Sequence, residues 1–329
     1  MDVPGVLVGH RTLAEGDRLR TGVTAILPHG GNLYEEKVLG GYHAVNAYGK
    51  AAGLTQLGEL GTVETPLLLT STLSVGPVWE GGLRHVLEQN PEAARDRDTV
   101  NVIVGECFDG WLSDARALAV RPEHALEAIA AAHGSETSEG AVGAGTGTTC
   151  FGFKSGVGTG SRAVDPYVLG CLIVSNYGSR RDLHMLIGPE GVELPSAGPE
   201  APAQGGSIMI VMATDAPLSE RQLRRLAVRG ALGLGRAGSF ATNASGEYVL
   251  AFSTAHRLPH RSERDRDELS FLRDDSRTLR NLFEASVELV QECVLNSLCV
   301  ADAVVGRDGN RAEAFPHQLL DAAPFLRRN

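Results

Sequence analysis

The sequence has few aromatic residues and lacks the patterns that mark metal and disulfide sites. Aromatic residues make up 5% of the 329 residues, which include 40 glycines. The five cysteines show no CxxC spacing, and an odd number in a chain this long argues against a disulfide framework. The ten histidines form no HExxH motif, and Pro259 separates His256 from His260, which spoils a helical ligand pair. We therefore expect neither a metal nor a cofactor.

Long apolar runs and a basic leader are also missing. No run approaches the ~20 apolar residues that a membrane helix needs, and Met1 does not begin a basic-then-apolar signal peptide. These absences predict a cytoplasmic protein with no membrane partner. The net charge of −10 disfavours binding to nucleic acid. The 43% hydrophobic content is ample for a buried core.

Hydrophobic patterning predicts a mixture of strands and helices. Strand-like apolar segments occupy residues 22–27, 64–75, 101–104, 167–174, 207–212 and 248–252. Helices are predicted over residues 122–132, 219–232 and 275–303. Because strands and helices do not alternate strictly, the pattern favours an α+β arrangement with helices packed over sheets. We expect a single domain that spans residues 1–329.

Turn-forming residues lead directly into a predicted strand around Ser245. Residues 242–246 are small and flexible, and residues 248–252 are apolar. If the bond before Ser245 were cut, this serine would carry a free α-amine beside its hydroxyl. Such an amine has a pKa of roughly 7.7–8.0 and can accept the hydroxyl proton. An N-terminal serine is therefore a nucleophile with its own base, although the pattern alone fits an ordinary turn serine equally well.

Eight short motifs, in order along nearly the whole chain, resemble those of one enzyme family. They are Val3-Pro-Gly-Val-Leu-Val-Gly-His10, Gly49-Lys-Ala-Ala-Gly-Leu-Thr-Gln56, Leu69-Thr-Ser-Thr-Leu-Ser-Val-Gly76, Val104-Gly-Glu-Cys-Phe-Asp-Gly110, Val142-Gly-Ala-Gly-Thr-Gly147, Val174-Ser-Asn-Tyr-Gly178, Ala213-Thr-Asp-Ala-Pro-Leu218 and Asn243-Ala-Ser-Gly-Glu247. With these motifs the chain resembles the DmpA-like family of L-aminopeptidase/D-esterases and β-peptidyl aminopeptidases.

The resemblance implies a four-layer α/β/β/α sandwich, like that of ornithine acetyltransferases, and a chain that processes itself. Ser245 would attack the carbonyl of Ala244, and the cut would leave chains of residues 1–244 and 245–329. The family usually has Gly or Asn where this chain has Ala244. Because Ala tolerates unusual backbone angles less well than Gly, we expect cleavage to be slower but not abolished.

The resemblance also implies partners for Ser245. A Ser-x-Glu unit of the family corresponds to Ser286-Val-Glu288, in which Ser286 would relay the proton and Glu288 would fix Ser286 and the ammonium. In a regular helix such positions point roughly 200° apart, so both reach one site only if the backbone is irregular or Glu288 reaches around. A solvated helix carboxylate is the alternative for Glu288. Asn176, after the strand 167–174, is the candidate oxyanion donor, and a turn-forming role fits it too.

Glu106 and the glycine-rich segments bear on the substrate. Glu106 follows the predicted strand 101–104 and would attract the free amine of a substrate. Relatives often have a tyrosine two residues later, where this chain has Phe108 without a hydroxyl to contact the oxyanion or substrate. Glycine-rich walls at residues 143–147 and 156–160 predict a narrow cleft for small side chains.

The predicted function is an aminopeptidase that removes N-terminal residues from small peptides, amides or esters, with β-amino and D-residues among the candidates. Two alternatives remain. An acyltransferase related to ornithine acetyltransferase would carry threonine instead of Ser245 at the cut. An unprocessed, non-catalytic scaffold would explain Ala244 and Phe108. For the active species the resemblance implies a homo-oligomer of four α/β pairs, in which the two fragments stay associated.

Overall fold

The computed structural model describes residues 2–183 and 206–318. The strands are β1 Leu7–Glu15, β2 Leu19–Leu27, β3 Glu36–Ala47, β4 Thr62–Val63, β5 Leu67–Ser71, β6 Ile103–Cys107, β7 Thr149–Cys150, β8 Phe153–Lys154, β9 Val157–Val164, β10 Tyr167–Asn176, β11 Ser207–Thr214, β12 Gly246–Pro259, β13 Val304–Val305 and β14 Arg311–Ala312. The α-helices are α1 Leu54–Leu60, α2 Val75–Gln89, α3 Pro122–Ala130, α4 Glu220–Arg236 and α5 Arg277–Cys299.

Two main sheets carry the architecture. One has four strands in the order β1-β2-β5-β6, and the other has six in the order β4-β3-β12-β11-β10-β9. Strand β12 therefore lies inside the larger sheet, antiparallel to β3 and parallel to β11. The pair β5 and β6 is also parallel. Two small hairpins, β7-β8 and β13-β14, complete the pairing.

Three apolar clusters separate four layers. On β11, Met209 and Val211 belong to the cluster between the sheets, whereas Ile208 and Ile210 belong to the cluster beneath α4 and α5. This alternation follows from the two-residue period of a strand that is buried on both faces. A third cluster joins the four-stranded sheet to α2 and α3. The layers are therefore helices, sheet, sheet and helices, which confirms the predicted α/β/β/α sandwich.

The long helices begin at the caps that the sequence offers. Ser219 and Gln222 form a reciprocal capping box at the start of α4, where the Ser219 side chain accepts from the Gln222 backbone N–H at 3.3 Å. The α5 helix starts after Ser276, whose hydroxyl accepts from the Leu279 backbone N–H at 3.2 Å. Among the helices of the described residues, none is long and apolar enough to cross a membrane.

Candidate active site

Strand ends from both sheets meet around Ser245. Across the larger sheet, Gly246 pairs with Ser207 and Ala47, and Ser207 pairs in turn with Asn176. The smaller sheet joins this edge because the Phe108 backbone N–H, just after β6, donates to the Ser207 hydroxyl at 3.2 Å. The start of β12 thus faces the ends of β3, β6 and β10.

Ser245 is the last residue of a tight turn and is itself buried, with 2% of its surface exposed. Its backbone N–H donates to the Thr242 carbonyl at 3.0 Å, and its hydroxyl donates to the same carbonyl at 2.7 Å. Thr242, Asn243 and Ala244 are exposed. The structure therefore presents the Ala244–Ser245 bond at the surface while it holds the serine side chain inside.

The unusual backbone angle that we expected at the cleavage point lies three residues earlier. Ala241 has a positive φ of 48°, whereas Ala244 is not among the non-glycine residues with positive φ. Position 244 therefore does not require glycine, and the physical reason for slow cleavage at an alanine disappears.

Asn46, near the end of β3, holds this turn from the neighbouring strand. Its side-chain Nδ2 donates to the Ser245 carbonyl at 2.5 Å and to the Thr242 carbonyl at 2.8 Å, and it lies 3.5 Å from the Ser245 Oγ. Asn46 pairs with Glu247 in the sheet, so the register of β3 and β12 fixes its position. An amide donor beside the reacting bond can stabilise negative charge on oxygen. The sequence analysis missed this residue.

Glu106 lies at the same edge and is 4% exposed. Its Oε1 accepts from the Lys50 backbone N–H at 3.0 Å, and its Oε2 accepts from the Thr72 hydroxyl. A Cβ built on Gly49 would lie 3.2 Å from Oε1 of Glu106 and 3.5 Å from the Cα of Gly246. The carboxylate is therefore close to the start of β12, in a place where it can receive the ammonium of a substrate.

The residues after Glu106 line the approach to the site. The Phe108 side chain is 47% exposed, and its ring lies over Gly110. Asp109 is buried, and its Oδ1 accepts from the Ser71 hydroxyl at 2.8 Å. Burial raises the pKa of Asp109 to about 6, although the nearby Thr21 and Ser71 hydroxyls oppose the rise.

Asn176 lies on the predicted edge but not beside Ser245. It is two strands from Gly246, which corresponds to about 10 Å across a sheet. Its Oδ1 accepts from the Thr149 backbone N–H at 3.1 Å, and its Nδ2 makes no hydrogen bond within residues 2–183 and 206–318. Asn176 is thus placed to donate to a bound substrate rather than to the Ala244–Ser245 bond.

The structure does not bring Ser286 and Glu288 to this edge, so the predicted Ser-x-Glu unit is not supported. Ser286 is buried, and its hydroxyl donates to the Phe283 carbonyl within α5 at 2.8 Å. The Glu288 side chain is 57% exposed and pairs with Arg162 at 3.7 Å. Arg162 is opposite Leu169, seven residues before Asn176 along β10, which is a separation of about 23 Å. The regular helix points the two side chains apart, as its 100° step dictates.

Glu247 is the carboxyl that the structure places beside Ser245 instead. It is two residues beyond Ser245, at the second position of β12. Only 1% of its surface is exposed. Burial raises its pKa, and the hydroxyls of Ser245 and Ser239 partly oppose this rise. The sequence motif contained this residue, but its alternation with Tyr248 was needed to assign a face.

The glycine-rich segments pack backbone against backbone rather than forming a cleft. A Cβ on Gly145 would lie 2.5 Å from the Val157 nitrogen, and one on Gly156 would lie 1.8 Å from the Gly140 carbonyl. A Cβ on Gly158 would lie 2.0 Å from the Cys293 carbonyl in α5. These contacts therefore give no support to the expectation that residues 143–147 and 156–160 wall a cleft at Ser245.

Other polar groups and cavities lie apart from Ser245. A cavity of about 360 Å³ is lined by residues that include Asp2, Glu139, Gly160 and Cys171. Gly160 belongs to the predicted wall 156–160, but Ser245, Glu106 and Asn176 do not line this cavity. Within the described part of the chain, no cluster of three His, Cys, Asp or Glu side chains could hold a metal ion.

The chain is similar to known proteins along nearly its whole length. Residues 1–312 match the profile described as "Peptidase family S58". The chain is 37% identical to the beta-peptidyl aminopeptidase BapA of Sphingosinicella microcystinivorans, with 98% of this chain and 86% of that protein covered.

Two solved structures have the same fold. A beta-aminopeptidase of Burkholderia sp. superposes with a TM-score of 0.89 at 35% identity, covering 100% of this chain and 94% of that one. The L-aminopeptidase D-Ala-esterase/amidase of Ochrobactrum anthropi gives a TM-score of 0.87 at 31% identity and covers 98% of this chain and 92% of that one. The latter is described as a prototype serine aminopeptidase with a variant of the Ntn hydrolase fold.

Proposed function

The chain belongs to peptidase family S58 and is a serine aminopeptidase, and we propose that it generates its own nucleophile by cutting the Ala244–Ser245 bond. The Ser245 hydroxyl attacks the Ala244 carbonyl carbon, and its proton passes to the amide nitrogen as the C–N bond breaks. The product is an ester between Ala244 and the Ser245 oxygen. Water hydrolyses the ester, which releases the Ala244 carboxylate and leaves Ser245 with a free amine and hydroxyl.

One observation carries this proposal: a buried serine hydroxyl follows an exposed turn at the first residues of an internal strand. The Asn46 amide already donates to two carbonyls of that turn. These two carbonyls flank the Ala244 carbonyl, and in this proposal the Asn46 amide donates to the Ala244 oxygen when that oxygen becomes negative during the attack. The exposure of Asn243 and Ala244 gives water access to the ester.

In the mature enzyme the Ser245 amine would take the hydroxyl proton while the oxygen attacks a substrate carbonyl. Glu106 would bind the substrate's free ammonium, and Asn176 would donate to the substrate from the far side of the edge. The substrates we propose are unblocked small peptides, amides and esters. β-Peptides are among them because the Sphingosinicella relative is named a beta-peptidyl aminopeptidase.

The relatives do not favour the two alternatives from the sequence. The curated relative and the two named structures are aminopeptidases, and none is described as an acyltransferase or as a scaffold. We also propose that cut α/β pairs assemble into a tetramer of pairs in the cytoplasm. Light scattering of the purified protein tests the assembly, because the mass of one lone pair at every working concentration would contradict it.

Denaturing electrophoresis with N-terminal sequencing tests the self-cleavage. The purified chain should give two bands, and the smaller fragment should begin Ser-Gly-Glu-Tyr. Ser245→Ala should leave one intact chain. Ser253→Ala is the matched control, because Ser253 is another buried serine of β12 and donates to the Ala216 carbonyl at 2.6 Å. A cut at any other bond, or a cut in Ser245→Ala, would exclude Ser245 as the nucleophile.

A further inference from the structure

Glu247 carries a buried carboxyl with an unused oxygen. Its Oε2 has no hydrogen-bond partner among the residues that the structure describes. The side chain is on the face of β12 that Val249 and Ala251 turn towards the α4 and α5 layer. Ser239, just after α4, and Ser245 are the polar side chains that act on it.

In the part of the chain that the structure describes, no cation accompanies this carboxyl. Within residues 2–183 and 206–318, no Lys, Arg or His forms an ion pair with Glu247. The Glu247 charge contributes to raising the pKa values of Tyr177, after β10, and of Tyr248 on its own strand, and the Glu106 charge also raises the pKa of Tyr248. Each of these groups is neutral or negative, so none can balance a carboxylate. Isolated buried carboxylates are uncommon because desolvation disfavours the charge.

We propose that Glu247 is the counter-ion of the ammonium that appears at Ser245 when the chain cuts itself. This inference rests on the proposed self-cleavage. Before the cut, the Ser245 nitrogen is an uncharged amide that donates to the Thr242 carbonyl. After the cut, the same atom becomes an amine that binds a proton. Glu247 is two residues from this nitrogen along the chain, and its buried Oε2 has no partner among the described residues. The Ser245 side chain is also near enough to lower the pKa of the Glu247 carboxyl.

The pairing assigns Glu247 a positioning role. An anion beside the amine holds the ammonium and the hydroxyl in one orientation, and it favours the protonated amine. The amine must lose that proton before it can act as the base for the hydroxyl. The lower limb of the pH profile should therefore lie at higher pH with Glu247 than without it. If the Glu247 carboxyl only formed a structural hydrogen bond with Ser239, its removal would leave the lower limb of the pH profile unchanged.

The first experiment isolates the ammonium from the chemistry. It uses a Ser245→Ala chain in which a recognition sequence for a site-specific protease is inserted in the exposed turn. This chain stays whole until the protease creates a terminus at position 245. Thermal unfolding is measured before and after digestion, with and without E247Q. We expect E247Q to be at least as stable as its parent before the cut and several degrees less stable after it. An equal effect on both forms would overturn the proposal.

The second experiment uses the pH dependence of kcat/KM in the cut enzyme that retains Ser245. E247Q should move the lower limb down by about 1–3 pH units, the usual effect of an opposite charge within a few ångströms. Glu247→Asp keeps the charge and should restore part of the shift. Glu64→Gln, which alters a buried carboxylate paired with Lys37, is the control and should leave the limb in place. An unmoved limb in E247Q would overturn the pairing.

The two proposals fail in different ways. A wild-type chain that never cuts itself contradicts the proposed function alone, since the digested Ser245→Ala chain still reports on Glu247. A wild-type chain that cuts at Ser245 but shows no differential effect of E247Q contradicts the counter-ion alone. If E247Q folds without cutting itself, the protease supplies the Ser245 terminus and the pH profile is measured on that form.

Discussion

The side-chain nitrogen of Asn46 lies 2.5 Å from the backbone carbonyl oxygen of Ser245, a residue 199 positions away in the chain. The contact joins the end of β3 to the start of β12 across one strand spacing. It ties the turn before Ser245 to a strand that belongs to the larger fragment. The site therefore depends on the register of two strands that are far apart in sequence.

Asn46→Ala should slow self-cleavage by a factor of about 10²–10³, the range seen when one oxyanion donor is removed. The rate is measured from the disappearance of the intact chain on denaturing gels. Asn90→Ala is the matched control, because the Asn90 amide also donates to a backbone carbonyl, that of Val86, at 2.8 Å. Cleavage of Asn46→Ala at the wild-type rate would remove this residue from the chemistry.

Glu106→Gln should abolish the preference for substrates with a free amine. The lost charge-assisted hydrogen bond is worth on the order of 2–3 kcal/mol, or a factor of roughly 30–150 in kcat/KM. The measurement compares alanine and β-alanine p-nitroanilides with their N-acetylated forms. Glu64→Gln should keep the preference, since Glu64 accepts from the Asn101 backbone N–H away from the site. If Glu106→Gln also kept the preference for free amines, the substrate ammonium would bind at another residue.

Glu288→Gln should leave turnover within about threefold of wild type, in contrast to the sequence-based expectation. Its partner Arg162 is 36% exposed, and surface ion pairs of this kind contribute at most about 1 kcal/mol to stability. Ser286→Ala should likewise keep its activity while it loses about 1 kcal/mol of stability with its buried hydrogen bond. A 100-fold loss of kcat in either folded variant would place α5 in the site after all.

Asp109→Asn should stabilise the protein at pH 8 more than at pH 4. The folded pKa of Asp109 is about 6, above its ordinary value of 3.8, so the folded state binds the proton more tightly than the unfolded state. Stability from this group is complete below pH 3.8 and is lost as the pH rises through 6, by about 3 kcal/mol in all. Denaturant unfolding at several pH values measures the difference. A constant difference between variant and wild type would contradict the shifted titration.

Long apolar runs made three of the six strands of the larger sheet predictable, together with the two helices that pack on it, whereas β3, β4 and β9 carry no such run. β10, β11 and the start of β12 coincide with three such runs, and α4 begins at the capping box of Ser219. The α2 helix was not predicted, because its segment contains Gly76, Pro77 and two further glycines, which lower helix propensity. Glycines such as Gly81, which packs closely against Pro122, allow α2 to approach its neighbour. The same glycines have low helix propensity, so the sequence does not predict a helix there.

The sequence predicted those parts of the site whose residues are contiguous in one short motif. The turn, the serine and the strand around Ser245 are contiguous, and Glu106 directly ends a strand. Asn46 could not be found in this way, since its role depends on pairing with β12. The assignment of Glu288 relied on the three-residue motif Ser286-Val-Glu288, and a motif this short does not reveal which helix face is exposed.

The position of β12 has a consequence for how the protein can fold. If the chain is cut before Ser245, this strand belongs to the smaller fragment, whereas both of its neighbours, β3 and β11, belong to the larger one. An intact chain assembles this sheet in a unimolecular reaction. Once cut and then denatured, the two fragments must find each other again, so refolding becomes second order in protein. The rate at which native structure is recovered should rise with protein concentration for the cut enzyme and stay constant for Ser245→Ala. Efficient folding then depends on the intact chain, so the cut has to follow folding.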